Sequence, residues 1–299
     1  MIPLYKMATL LTPKTILITG ATGYLGSNLT RRLLEEDGHT IVAMKRSFSN
    51  THRVNDVSSK IQWFNLDDTE LSDVFAKYKF DVVIHCATDY GRKEVNPLQI
   101  IEANLILPLR LLELANNNNV PVFINTDTML DKRISHYSLS KKHFREWMAG
   151  YDKKMVLINM VLSHFYGPGD DPTKFVSFIK QQLEEEVPSI PLTKGEQIRD
   201  FVYIDDIVEA FMVVLGSIAE RKAGMYEFQV CGGSRISIKE LVTTLKEMLK
   251  NKNTKLDFGS LPYREFEVMD EQGDNSDLSA LGWQAKYKLR EGLSLLIGK

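Results

Sequence analysis

The chain has 299 residues, 43% hydrophobic and 25% charged, which are the proportions of an ordinary soluble globular protein of one large or two intimate domains. Its 37 basic and 39 acidic residues leave a net charge of −2, so nothing draws it at long range toward nucleic acid or an anionic membrane, and neither is expected as a partner. Two cysteines, Cys86 and Cys231, stand far apart in apolar settings and read as buried thiols of a cytoplasmic protein. No apolar run reaches the 18 or more residues of a membrane span, and Met1 to Pro13 lacks the apolar core and cleavage site of a signal peptide. Residues 1–13 read as an extension ahead of the fold, with Met7 an alternative start.

From Lys14 onward, short β-branched runs alternate with amphipathic segments, the pattern of β-α units on a parallel sheet. Strands are predicted at Thr15–Thr19, Thr40–Lys45, Ile61–Phe64, Asp81–His85, Val120–Asn125 and Met155–Val161. Between the first two, Leu25, Leu29, Leu33 and Leu34 share one face of a helix over Tyr24–Asp37, which Gly38 is placed to end. Six such strands suit an α/β, doubly wound, Rossmann-type domain. After Gly167 the rhythm loosens: a helix is predicted over Lys174–Glu186, a strand near Phe201–Ile204, a helix from Asp205, a strand near Met225–Val230 and a helix over Ser237–Lys250. These later elements are too few for a second sheet of the same kind and imply a smaller, interlaced lobe. The expected division is a dinucleotide-binding domain over 14–166, joined by about 199–230, and a second lobe over 167–198 and 231–299.

Gly20-Ala-Thr22-Gly23-Tyr24-Leu25-Gly26 follows the first predicted strand and opens the first helix. Glycines there let the backbone turn tightly and approach a pyrophosphate, and the helix N-terminus offers free N–H groups. A tight turn without a ligand would use the same residues; the strand-turn-helix context favours the dinucleotide. The Gly-x-x-Gly-x-x-Gly spacing resembles the extended branch of the short-chain dehydrogenase/reductase superfamily. An acid at the end of the second strand would suit the ribose diol of NAD, but that strand ends Met44-Lys45-Arg46. Two cations suit a 2′-phosphate, so NADP(H) is the expected cofactor, unless the pair is merely solvated. The resemblance further implies that Asn65 and Leu66 hold the adenine, and that Cys86-Ala87-Thr88 flanks the nicotinamide. His85 reads as a packed strand-end histidine.

Tyr137 and Lys141 are four residues apart, hence on one face of a helix. A Tyr-x-x-x-Lys pair is common by chance, and its place after the fifth strand gives it weight. Lowering a tyrosine pKa from about 10 to 7 takes roughly 4 kcal/mol, part of which a nearby ammonium can supply. The resemblance implies that Tyr137 is the general acid, Lys141 lowers its pKa, Thr126 orients the carbonyl and Asn104 completes the catalytic set. No metal is called for.

The extended branch acts largely on nucleotide-linked sugars. Gly195-Glu-Gln-Ile-Arg199-Asp-Phe201 and Leu261-Pro-Tyr-Arg264 resemble its segments that bring arginines to the substrate diphosphate, although either arginine alone could be an interlobe salt bridge. Its 4,6-dehydratases follow the active Thr with Asp-Glu; here the order is Thr126-Asp127-Thr128, which argues against dehydration. A narrower resemblance, carried by Ala87–Gly91, Asn125–Asp127, Asn159-Met160, His164–Asp170 and Gly195–Phe201, is to CDP-abequose synthase-like nucleotide-sugar 4-ketoreductases of surface-polysaccharide (lipopolysaccharide O-antigen) pathways. It implies NADPH-dependent reduction of the 4-keto group of a nucleotide-linked keto-deoxysugar, a CDP-sugar first, by a cytoplasmic homodimeric oxidoreductase. Thr88, Tyr90 and Arg92 become candidates around the sugar, and His164 a candidate at the sugar or the diphosphate. Two features depart from the branch: the link from Thr126 to Tyr137 is only eleven residues, and Val161 stands where Arg is frequent. An epimerase with retained NAD, or a non-catalytic NADP(H)-binding regulator, are the alternatives.

Overall fold

The computed structural model describes residues 12–92 and 96–298. Its strands are β1 (Thr15–Thr19), β2 (Thr40–Lys45), β3 (Ile61–Asn65), β4 (Val82–His85), β5 (Val122–Thr128), β6 (Val156–Leu162), β7 (His164–Tyr166), β8 (Ser189–Leu192), β9 (Ile198–Tyr203), β10 (Gly224–Val230), β11 (Arg235–Ser237) and β12 (Lys255–Phe258). Seven form one sheet in the order β10-β6-β5-β4-β1-β2-β3, and every pairing in it is parallel. Side chains alternate between its faces. Ile16 and Ile18 therefore join one core layer with Leu29 and Leu33 of the Tyr24–Glu35 helix, while Leu17 joins the opposite layer with Leu111, Leu112 and Phe144. Burial on both faces explains why β5 and β6 are buried at every position, as a parallel sheet demands. The α/β, doubly wound Rossmann-type fold is as expected.

The later chain forms two small sheets, β11-β9-β7 and β12-β8, with helices at Phe175–Glu184, Ile204–Ser217 and Ile238–Met248. Several boundaries differ from the sequence reading. Strand β5 runs three residues past Asn125, because Thr126, Asp127 and Thr128 stay in register with Met160, Val161 and Leu162. Strand β9 starts at Ile198 and stops at Tyr203, since Ile204 already opens a helix. The first helix ends at Glu35, and Gly38 follows with φ +90°. Most of the supposed N-terminal extension, residues 1–11, lies outside the described residues. Among the described residues no helix is long and apolar enough to cross a membrane. Cys231 is buried as expected, but Cys86 is only half-buried because it stands past the open end of β4.

Candidate active site

The chain leaves β1 toward β2 and β3 on one side, and β4 toward β5 and β6 on the other, so a crevice opens where the two directions part. Gly20 and Cys86, the residues after β1 and β4, face each other across it. Gly20 has φ +72°, and a Cβ there would stand 2.6 Å from the Ala87 nitrogen. A Cβ on Gly26 would overlap the Gly20 carbonyl oxygen. The Gly23 amide donates to that same oxygen at 2.8 Å, closing the turn just before the helix begins at Tyr24. Thr22 is half-buried and Gly23 exposed, so the turn's outer side is accessible, whereas Leu25 is buried. His85 is fully buried, with Nδ1 2.8 Å from the Thr19 hydroxyl; burial, and then the Lys141 charge, hold it neutral.

At the end of β2, Lys45 Nζ donates to Asn65 Oδ1 at 2.9 Å, and the exposed Arg46 guanidinium lies 5.8 Å from the Phe48 ring centre. The Leu66 amide donates to the Lys45 carbonyl at 2.8 Å, tying the ends of β2 and β3 together. Beside Arg46 and Leu66 opens a cavity of about 1220 Å³, bounded on its far side by Ile106 and Arg110.

Of the catalytic candidates Asn104, Thr126 and Lys141 are buried and Tyr137 is half-buried. Asn104 sits on a single π-helical turn, Glu102–Ile106, and is completely buried. Its Oδ1 accepts from the Asp89 amide at 2.8 Å and the Thr88 hydroxyl at 3.1 Å; its Nδ2 donates to the Asp89 carbonyl at 2.8 Å and to Ser140 Oγ at 3.1 Å. Asn104 thereby clamps the loop after β4 to the His136–Met148 helix that carries Tyr137 and Lys141. The Tyr90 ring rests on Tyr137 at 4.8 Å between centroids, and Arg92 stacks on Tyr90 at 4.7 Å while donating to Thr173 Oγ1 at 2.6 Å. Thr126 donates its hydroxyl proton to the His85 carbonyl at 3.0 Å, so it must rotate to meet any ligand.

Burial, and then neighbouring Tyr90, push the Tyr137 hydroxyl well above its ordinary 10, against a hydrogen bond with Thr128. Burial brings Lys141 down to about 8, with the nearby Asp127 and Cys86 opposing. Lys141 is 1% exposed and its Nζ has no partner. An unpaired buried ammonium is costly, and this one lies on the face that Tyr137 shares, where a cofactor's ribose hydroxyls would satisfy it. Together with the close Gly20–Ala87 approach and the cations at the end of β2, it makes the crevice fit a dinucleotide.

The candidates on the sugar side are less gathered. His164 Nε2 is 3.6 Å from Glu271. Arg199, 5% exposed, donates to the Ile198 carbonyl at 2.7 Å and pairs with the Glu267 carboxylate, an ion pair of the kind weighed above. Arg264 is exposed. Two clusters escaped the sequence reading. Asp127 accepts from the Thr128 amide at 2.7 Å and Asn159 Nδ2 at 3.1 Å, and lies 3.4 Å from Lys142 and 3.8 Å from Arg145. Lys174, 3.1 Å from Asp170, lies 4.0 Å from the Phe165 ring centre and over Tyr24 and Tyr90, which brings the glycine loop and the Tyr90 loop together. Asp127, Asn159 and Asp170 stood in motifs singled out from the sequence, but nothing local paired them with Lys142, Arg145 or Lys174.

Residues 16–229 match the NAD dependent epimerase/dehydratase family, and the chain belongs to it. CDP-abequose synthase of Salmonella typhimurium is 31% identical over 294 residues, covering 94% of this chain and 97% of that protein. The Yersinia pseudotuberculosis CDP-abequose synthase is 27% identical over 297 residues, covering 95% and 99%. Among solved structures, DesIV, a dTDP-glucose 4,6-dehydratase from Streptomyces venezuelae with NAD bound, has a TM-score of 0.82 at 18% identity, covering 95% of this chain and 96% of its own. The Thermus thermophilus UDP-glucose 4-epimerase with NAD gives 0.80 at 20%, covering 95% and 98%. At such identities these two bear on the fold.

Proposed function

We propose that the protein is an NADPH-dependent reductase of the 4-keto group of a nucleotide-linked deoxyhexose, a CDP-sugar first, in the making of surface polysaccharide. The observation that carries this reading is Asp127. A dehydratase needs an acid pair after its active Thr; here the one acid is buried among Thr128 N–H, Asn159, Lys142 and Arg145, and the next residue is Thr128. Tyr137 is left as the proton donor. The CDP-abequose synthase relatives support the nucleotide-sugar class, and Lys45 with Arg46 supports a 2′-phosphate.

In this reading the nicotinamide, when bound, supplies hydride to the carbonyl carbon. Burial keeps Tyr137 protonated, as a general acid must be before turnover, and it gives its phenolic proton to the C4 oxygen. The Lys141 ammonium offsets the phenolate charge that results. Asn104 fixes the Thr88–Asp89 loop against the same helix, Thr126 turns its hydroxyl to the carbonyl, and Tyr90 and Arg92 wall the sugar. Arg199 and Arg264 take the diphosphate, with His164 beside them. Gly20 to Gly26 cradle the pyrophosphate; Asn65 and Leu66 take the adenine, and Cys86, Ala87 and Thr88 the nicotinamide side. Residues 14–166 with 199–230 make up the cofactor-binding domain, which also lends Tyr90, Arg92, Thr126, His164 and Arg199 to the substrate, and 167–198 with 231–299 make up the nucleotide-sugar lobe.

The test is loss of NADPH absorbance with a panel of CDP-, dTDP- and GDP-4-keto-deoxyhexoses. No oxidation with any of them, in protein that demonstrably binds NADPH, sinks the reading. Purified protein that carries bound NAD and turns over without added reductant would be an epimerase instead.

A further inference from the structure

Residues 264–273 lie as a strap against the β11-β9-β7 sheet. The Ile198 amide donates to the Met269 carbonyl at 2.8 Å, and the Glu271 amide donates back to the Ile198 carbonyl at 3.3 Å. Three acids of the strap each meet a cation or histidine: Glu267 on Arg199, Asp270 on Arg235 and Glu271 on His164. Two of those three partners are residues assigned above to the substrate. The strap also reaches the short link before Tyr137. Arg133 lies 5.1 Å from the Phe266 ring centre, and a Cβ on Gly273 would stand 2.6 Å from the Met129 methyl.

We propose that Glu267 is a built-in occupant of the Arg199 fork, holding the place of the substrate's diphosphate, so that nucleotide sugar enters by exchange of phosphate for carboxylate. The proposal rests on the reading of Arg199 as the diphosphate ligand. A buried guanidinium left without an anion is unfavourable, so the protein without nucleotide needs a carboxylate there. A diphosphate brings more charge and more acceptor oxygens to the same planar fork and outcompetes it. The strap is suited to letting go: Phe266, next to Glu267, has φ +61°, a left-handed backbone that a phenylalanine adopts only under constraint. The turn at Phe266 is closed by the Glu267 amide on the Arg264 carbonyl at 3.2 Å, and the Glu267 side chain already has a way out, since it is 15% exposed. Glu267 thus sets nucleotide affinity without itself touching the reacting carbon.

The experiment is calorimetric titration of the full chain with CDP, UDP and dTDP. Glu267→Gln removes the competing charge and tightens whichever diphosphates bind by about tenfold. Glu267→Asp, which keeps the charge one methylene short, tightens them less and serves should the glutamine variant fail to fold. The corresponding nucleosides, lacking phosphate, bind both variants as they bind wild type. Arg199→Lys loses diphosphate affinity. Diphosphate affinity equal to or weaker than wild type in both Glu267 variants overturns the proposal; if Arg199→Lys still loses affinity, the function proposed above stands. Diphosphate binding that ignores Arg199→Lys, or that none of the three nucleotides shows, overturns the proposal together with the role of Arg199.

Discussion

Replacing Lys141 by Met removes an ammonium that the fold buries without a partner, and the protein is expected to become more stable as it loses activity. Lys141 is 1% exposed, and burial brings its pKa from 10.5 to about 8. At roughly 1.4 kcal/mol per tenfold, that difference costs about 3 kcal/mol at pH 7. Below pH 8 folded and unfolded chains both carry the charge, and the cost stands in full. Between about 8 and 10.5 the unfolded chain binds the extra proton, so wild-type stability gains on the variant as pH rises. Lys141→Met, with a side chain of similar reach, should therefore exceed wild type by about 3 kcal/mol in urea unfolding at pH 7, shrinking to about 1 kcal/mol at pH 9.5. Saturating NADPH should stabilise wild type more than the variant, because it satisfies the orphan ammonium. An unchanged or lower stability at pH 7, or a gain that ignores pH, would refute the account of Lys141 as an unpaired buried charge.

Tyr137→Phe should lower kcat by about 10²- to 10⁴-fold with NADPH affinity nearly intact, as followed by absorbance and by fluorescence titration. Gly26→Ala places a methyl against the Gly20 carbonyl oxygen; it should cost about 1–3 kcal/mol in urea unfolding and abolish NADPH binding in a fluorescence titration. Lys45→Ala combined with Arg46→Ala should weaken NADPH by about 10- to 100-fold and leave NADH unaltered, so an equal loss for both cofactors would remove these side chains from the 2′-phosphate.

The first half of the fold was legible because β-α units announce themselves locally. Strands β1 to β6 are apolar runs closed by turn residues, and the glycine loop lies between a strand and a helix it helps to define. Strands β7 and β11, three residues each, have too little sequence for a period and exist because β9 pairs with both. Strands β8 and β12 support each other across more than sixty residues, and Pro191 in the former argues locally against a strand. In the site, Tyr137, Lys141 and Asn104 could be named from motif position. The surroundings that tune them could not. Asp127 reads as a lone acid until β6 and the helix after β5 bring Asn159, Lys142 and Arg145 around it, and the pairing of Arg199 with Glu267 spans sixty-eight positions. Tertiary pairing of this kind leaves no periodicity to read.

The edge strand β10 gives the chain an architectural constraint. The polypeptide departs after β6, builds β7 to β9 with their helices, and returns to lie along the whole of β6 from Gly224 beside Val156 to Val230 beside Leu162. A fragment stopping near Tyr166 would strip that neighbour away and leave Val156–Leu162, buried on both sides in the intact protein, as a bare apolar border open to pairing with other chains. The part of the chain up to β6 is thus not a detachable cassette. Exchange of the segments after β6 between relatives, in nature or by design, has to carry the returning strand with them.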